Sequence, residues 1–414
     1  MPKDAVKPQF TGYQKFVIFI LAATQFSVIL DFMVMAPLGA LMMKSMNLKP
    51  DEFGLAVSAY AFSAGISGLL TAGFADRFDR KKLLLFFYTG FIAGTFFCGV
   101  AHTYPLLIAA RIITGIFGGV IGSISMAIIA DLFDIHHRGR VMGFVQLGFG
   151  ASQVLGLPIG LYIANKWGWQ SPFLMVGCFG ACIATMILLK LKPITAHLAI
   201  EKERTPVKHL LHTFSKKNYR IGFLSTVFLS IGGFMMMPFG TAFAINNLHI
   251  TTEQLPTLYV ISGICSLIIM PLVGKLSDRV DKYKIFFVAS CWMVAVVLVY
   301  THLSVTPFWW VVGINILMMM GIMSRMVPAS ALNTGIPDTQ DRGAFMSISA
   351  SIQQIAGGVA AAVAGMIVVQ QDKTSPLQHY DILGYVMVGI SVLSMFLMSR
   401  VSRVVKQKLA EKTV

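Results

Sequence analysis

Charge is what this sequence has least of. Only 12% of its 414 residues are Asp, Glu, Lys or Arg, while 56% are hydrophobic. An average soluble domain carries roughly 25% charged residues. A water-soluble chain of this length needs far more polar surface to coat itself, so lipid is the expected solvent for most of the exterior. Acids are scarcer than bases, 18 against 33, which leaves a net charge of +15. The basic surplus sits in short clusters between apolar runs, not along one face of a polar domain, so no nucleic-acid partner is expected. Cysteine is scarce too: Cys98, Cys178, Cys182, Cys265 and Cys291 all lie inside apolar runs. That excludes a disulfide framework, and with no His or acid beside the Cys178/Cys182 pair no metal site is expected. The chain has no Gly-x-Ser-x-Gly, no paired carboxylates within apolar runs and no GxxxxGK[ST] loop. Neither a membrane-embedded enzyme nor direct ATP drive is therefore expected, and no cofactor is implied.

What the sequence has is long apolar runs. A helix needs about 20 such residues to cross the hydrocarbon core. Twelve stretches qualify, at about 16–43, 53–75, 83–101, 105–132, 141–164, 172–191, 221–246, 255–276, 285–303, 307–331, 344–369 and 382–399. The run after Lys15 reads as a first span, too long for a cleavable leader. If both termini are cytoplasmic, only Lys44, Lys49, Lys166 and Lys373 of the 33 basic residues fall on the outer side, and Arg111 and Arg325 fall well inside spans. That asymmetry sets the orientation in an inner membrane, and Trp167, Trp169, Trp309 and Trp310 fall at outer helix ends. The longest polar stretch separates six spans from six. The expected organisation is a first six-helix bundle over 1–191, a linker over 192–220 and a second bundle over 221–414. Within the linker, Pro206–Phe214 reads equally as an amphipathic surface helix or as plain connection.

The halves repeat each other. Met35-Ala36-Pro37-Leu38-Gly39 matches Met236-Met237-Pro238-Phe239-Gly240 at an offset of 201. Asp76-Arg77-Phe78-Asp79 matches Asp278-Arg279-Val280-Asp281 at 202, and Arg138-Gly139 matches Arg342-Gly343 at 204. Each match falls at the same topological place. Two parallel halves with a site between them is a transporter plan.

These residues carry a family resemblance. The loop Ala72-Gly73-Phe74-Ala75-Asp76-Arg77-Phe78-Asp79-Arg80-Lys81-Lys82 resembles the G-x-L-A-D-R-x-G-R-[RK] motif of the major facilitator superfamily, with Ala72 and Asp79 departing from its glycines. Gly274-Lys275-Leu276-Ser277-Asp278-Arg279 is similar to a second copy. Arg111-Ile112-Ile113-Thr114-Gly115 resembles the family's R-x-x-x-G element. Gly148 to Gly160 resembles the glycine-rich fifth-span motif of drug:proton antiporters, with Pro158 displaced by one. The resemblance implies an all-α fold of 12 helices in two pseudo-symmetric six-helix bundles, working as a monomer. It also implies that Asp76, Arg77, Arg80, Asp131 and Arg138, with Asp278 and Arg342 in the second half, form a cytoplasmic gate. These charges also enforce topology, and the two roles coexist.

Ionisable groups within spans call for a reason, because each costs several kcal/mol there. Asp31 is the acid well inside a span, roughly 16 Å from the outer end of its helix at about 1.5 Å per residue. Arg111 lies at comparable depth, about 9 Å from the outer end of the fourth span by the same rise. In the resembled fold both helices line the cavity, so the two side chains are expected to meet, with Asp31 as the proton-responsive group and Arg111 as its partner. A static buried salt bridge is the alternative. The repeat counterpart of Asp31 is Gly232, so the scaffold does not demand the charge. Arg325 in the tenth span is a candidate ligand for an anionic substrate, or a snorkelling cation. Gln25, Gln146, Asn315, Gln353 and Gln354 are candidate cavity-facing polar groups, or helix-packing ones. The resulting expectation is a secondary transporter exchanging protons for a small amphipathic or drug-like molecule. A symporter or uniporter for a polar metabolite or organic anion, and a carrier of an amphipathic lipid, stay open.

Overall fold

The computed structural model describes residues 10–71, 77–195, 198, 206–338, 341–372 and 375–411, so Asp76 and Lys373 lie outside the described residues. Twelve helices among them are long and apolar enough to cross a membrane: Gly12–Val34, Pro50–Thr71, Arg80–Gly99, Tyr104–Leu132, Arg140–Trp167, Ser171–Lys190, Lys217–Asn246, Leu255–Arg279, Lys282–Thr301, Phe308–Gly335, Arg342–Ile367 and Tyr380–Lys408. They match the twelve apolar runs one to one and form two six-helix bundles. No β-strand occurs among the described residues, where a single antiparallel bridge joins Val369 and Gln378. With twelve spans, the first and last described residues lie on one face, called here the near face.

Local chemistry sets the helix ends. Thr11 and Gln14 form a reciprocal capping box at the start of the first span. Asp79 and Asp281 cap the third and ninth spans in matching fashion, each accepting from the amide two residues on. The first and seventh spans are not the unbroken runs their hydropathy suggests. The first helix stops at Val34 and a short helix restarts over Gly39–Met46. The seventh stops at Phe234, passes through a 3-10 turn at Met237–Phe239 and restarts over Gly240–Asn246. Pro37 and Pro238 fall inside these breaks, where a missing N–H and a ring clash interrupt the helical ladder. The repeated Met-x-Pro-x-Gly segment is thus a paired helix break. In the fifth span a π turn at Ser152–Gly156 precedes Pro158. The linker does form a helix, Pro206–Ser215. The last helix runs on to Glu411, well past the end of its apolar stretch.

The bundles meet from the far face to beyond mid-span, where a Cβ on Gly65 would lie 2.8 Å from the Ser351 carbonyl oxygen. Second and eleventh spans approach backbone to backbone: a Cβ on Gly54 would lie 2.7 Å from the Ala361 carbonyl oxygen, and one on Gly365 2.8 Å from that of Pro50. Glycine is what permits this approach. Ser58 Oγ donates across it to the Gly358 carbonyl at 2.8 Å. Asn165 Nδ2 donates to the Thr252 carbonyl at 2.9 Å, and Phe53 meets Phe239 edge-on at 6.0 Å. One apolar cluster runs from the first bundle into the far side of the second. A separate cluster, with Tyr219, Phe223, Phe286 and Phe345, belongs to the near-face end of the second bundle. Among the described residues no ion pair joins the bundles.

Candidate functional site

Asp31 sits one turn before the break in the first span, and Arg111 two turns into the fourth. Both are completely buried, and Arg111 Nη1 donates to Asp31 Oδ2 at 2.9 Å. Thr95 Oγ1, from the third span, donates to Asp31 Oδ1 at 3.2 Å. The guanidinium carbon lies 4.5 Å from the centroid of the Tyr60 ring, on the second span. The carboxylate therefore has a partner on each oxygen, and the cation has a ring face beneath it. Arg111 Nε and Nη2 have no hydrogen-bond acceptor. The guanidinium is thus held on one side and retains donors for another acceptor.

A chain of aromatic rings links this pair to the junction of the bundles. Tyr60 packs on Phe32 at 5.2 Å between centroids, and Phe32 meets Phe234 of the seventh span edge-on at 5.9 Å. Phe32, Val57, Phe234 and Pro238 line a narrow apolar gap there. The pair is consequently one residue away, along the first helix, from a contact that must change if the bundles rock.

The expected meeting of Asp31 and Arg111 occurs. Tyr60 and Thr95 complete the arrangement and were not anticipated. A buried Tyr and a Thr in an apolar helix look like ordinary packing residues, and their positions relative to Asp31 depend on how four helices assemble.

The other candidates are scattered. Arg325 is 5% exposed and packs among the ninth, tenth and twelfth spans, with Nη1 3.4 Å from Ser391 Oγ and the guanidinium 5.6 Å from the Phe286 ring centroid. Its Nε and Nη2 have no acceptor. Gln25 lies opposite Gly122 of the fourth span, with its Oε1 buried and unpartnered. Asn315 accepts from Ser262 Oγ at 2.9 Å, bridging tenth and eighth spans. Gln146 and Gln353 are exposed, and Gln354 is half-buried. At the near face, Arg80 Nε pairs with Asp131 Oδ2 at 3.0 Å. Arg138 donates to the carbonyls of Phe133 and Ala130 at 2.9 and 2.6 Å. Arg77, Asp278 and Arg342 are exposed, and Asp76 falls outside the described residues. These contacts lie within one bundle each. No group of three or more His, Cys, Asp or Glu is placed to hold a metal ion among the described residues.

Comparison with known proteins agrees with this architecture. The family model described as Major Facilitator Superfamily matches residues 21–361 and again 222–412. The chain is 23% identical over 404 residues to an uncharacterized MFS-type transporter, YceJ, of Bacillus subtilis (strain 168), covering 94% of this chain and 97% of that protein. It is 22% identical to multidrug resistance protein 2 of the same organism, across 71% of this chain and 74% of the other. Among solved structures, the crystal structure of a D-xylose-proton symporter superposes with a TM-score of 0.75 at 18% identity, covering 92% of this chain and 97% of that one.

Proposed function

The chain belongs to the major facilitator superfamily and is a secondary transporter of a small molecule, and from that premise we propose that it couples proton movement to export through the Asp31–Arg111 pair. The supporting observation is the fully buried 2.9 Å pair tied through Tyr60 and Phe32 to the place where the bundles meet. With the bundles closed on the far face, the guanidinium neutralises the carboxylate. A rocking motion that separates Phe32 from Phe234 frees Tyr60 to shift and loosens the guanidinium. Asp31 then sits in a low-dielectric site without its counter-ion, where the protonated form is favoured. Proton uptake and cargo release become alternatives of one switch. The near-face charges bias which side is open, because a few kcal/mol redistributes a two-state equilibrium.

In the proposed orientation the near face is cytoplasmic and the protein resides in the inner membrane. A far-face closure then suits collection of cargo from inside. The glycine-rich fifth span, with its π turn, and the resemblance to a protein named for multidrug resistance support an amphipathic cargo. An organic-anion cargo held by Arg325 has no comparable support, since that guanidinium packs at the back of the second bundle.

Ethidium extrusion from proteoliposomes under an imposed pH gradient tests the proposal. The wild-type chain is expected to extrude, and Asp31→Asn to lose gradient-driven movement while retaining exchange of labelled for unlabelled ethidium. Gradient-driven extrusion by Asp31→Asn at the wild-type rate removes Asp31 from coupling.

A further inference from the structure

The repeat exposes an unfilled position at the near face of the second bundle. In register, Arg80 corresponds to Lys282, Asp131 to Gly335, Asp134 to Asp338 and Arg138 to Arg342. In the first bundle Arg80 is buried against Asp131, with 3.0 Å between Nε and Oδ2. In the second bundle the acid is replaced by Gly335, which offers no side chain. Lys282 Nζ turns instead to the Ser277 carbonyl oxygen at 3.2 Å. A cavity of about 440 Å³ is left where the first bundle has its ion pair.

The walls of this cavity are basic. Arg279, Lys282, Arg342, Lys406 and Lys408 line it, against the acids Asp278 and Asp281. Asp281 is already engaged by Lys406, and Lys408 by Asp338. Arg279 and Arg342 are exposed and have no ion-pair partner among the described residues. The ninth span also begins here, but its first amides are already taken by the Asp281 carboxylate, so the positive potential in the cavity comes from the basic side chains.

We propose that this cavity binds a phosphate-bearing anion, which supplies from outside the negative charge that Asp131 supplies within the first bundle. Arginine and lysine donors suit phosphate oxygens. Leu276 and Val280, at the same end of the eighth span, are 48% and 40% exposed. An acyl chain has apolar surface to follow, so the phospholipid headgroup of the near-face leaflet is the favoured source, and free phosphate the other.

The test uses the full-length chain in detergent, melted in the presence of phosphatidylglycerol, phosphatidylcholine or inorganic phosphate. Phosphatidylglycerol is expected to raise the melting temperature by about 3 °C or more, as preferential binding to the native state requires. Phosphatidylcholine is expected to leave it unchanged. Lys282→Gln and Arg342→Gln are expected to lose most of the shift. Gly335→Asp restores the missing carboxylate, and its Cβ would come 3.2 Å from Val405 Cγ1, a side chain able to yield. That variant is expected to melt higher in phosphatidylcholine and to respond little to phosphatidylglycerol. A shift reproduced by inorganic phosphate, and lost in the same variants, supports the anion site with a soluble source. No shift with either anion, or an undiminished shift in Lys282→Gln and Arg342→Gln, overturns the proposal; these two variants decide it even if Gly335→Asp fails to fold.

Discussion

Each bundle buries one arginine deep among its spans, and the two are treated differently. Arg111, fully buried, has a carboxylate at 2.9 Å and an aromatic face at 4.5 Å. Arg325, 5% exposed, has only a serine hydroxyl at 3.4 Å and a ring at 5.6 Å. The repeat gives neither an equivalent: Arg111 corresponds to Asn315 and Arg325 to Ile121, while Asp31 corresponds to Gly232. The scaffold is symmetric and the buried charge is not. The compensated cation is also linked, through Tyr60 and Phe32, to the place where the bundles touch, whereas the uncompensated one backs onto the ninth and twelfth spans. A switch needs a partner to leave. Only Arg111 has one.

This comparison can be broken by removing each guanidinium. Arg111→Met strands the Asp31 carboxylate in a buried site and is expected to cost about 3–5 kcal/mol of stability. Arg325→Met strands nothing, and is expected to be neutral or to stabilise by about 1 kcal/mol. Thermal and denaturant unfolding in detergent measure both; equal losses would erase the distinction between the two sites. A second experiment separates architecture from coupling. The double variant Asp31→Leu with Arg111→Met is expected to recover most of the stability lost by Arg111→Met, because neither charge remains. Gradient-driven extrusion is expected to stay absent. Transport in the double variant would reduce the pair to a structural role. A smaller effect is expected of Tyr60→Leu, which removes the ring beneath the guanidinium. Loss of that face is expected to cost about 1–2 kcal/mol at a desolvated site. The same variant should also blur the link to Phe32, seen as extrusion that responds less steeply to pH.

The differing legibility of these features follows from their physics. Twelve spans and their pairing into halves are written in hydropathy, which averages over about 20 residues and tolerates local error. Asp31 and Arg111 stand out because a charge inside an apolar run is rare, and helical rise alone puts them at similar depth. The helix breaks at Met35–Leu38 and Met236–Phe239 were visible as a repeated Pro, yet hydropathy runs straight through them. The continuous apolar stretch of the last span ends near residue 399, but a helix does not need an unbroken apolar run, and the last helix continues to Glu411 with Lys406 and Lys408 paired to Asp281 and Asp338. The direction Arg325 faces depends on the rotation of the tenth helix, which no run length encodes. Tyr60 and Thr95 reach Asp31 only through the packing of four helices. The near-face cavity required the repeat and the structure together, since a Gly opposite an Asp means little until the opposing pair is seen to be buried.

The smallest expected effect contrasts the buried pair with an exposed one. Lys406 pairs with Asp281, whose side chain is 26% exposed while the lysine is 64% exposed. This lysine, with the capping amides of Tyr283 and Lys284, holds the Asp281 carboxyl below the usual carboxylate range. A depressed folded value means the stabilisation is present above the unfolded value of about 4 and lost as pH falls through the lower folded one. Solvent screening keeps its size under about 1 kcal/mol. Asp281→Asn is therefore expected to melt slightly below the wild type at about pH 6, with the gap closing by about pH 3. The gap should also shrink in about 1 M salt, where the screening length is roughly 3 Å. The loss caused by Arg111→Met should persist in the same salt, because no ions reach a fully buried pair. If both losses fade together, Asp31 and Arg111 are in contact with solvent and the dry coupling site proposed for the first bundle does not exist.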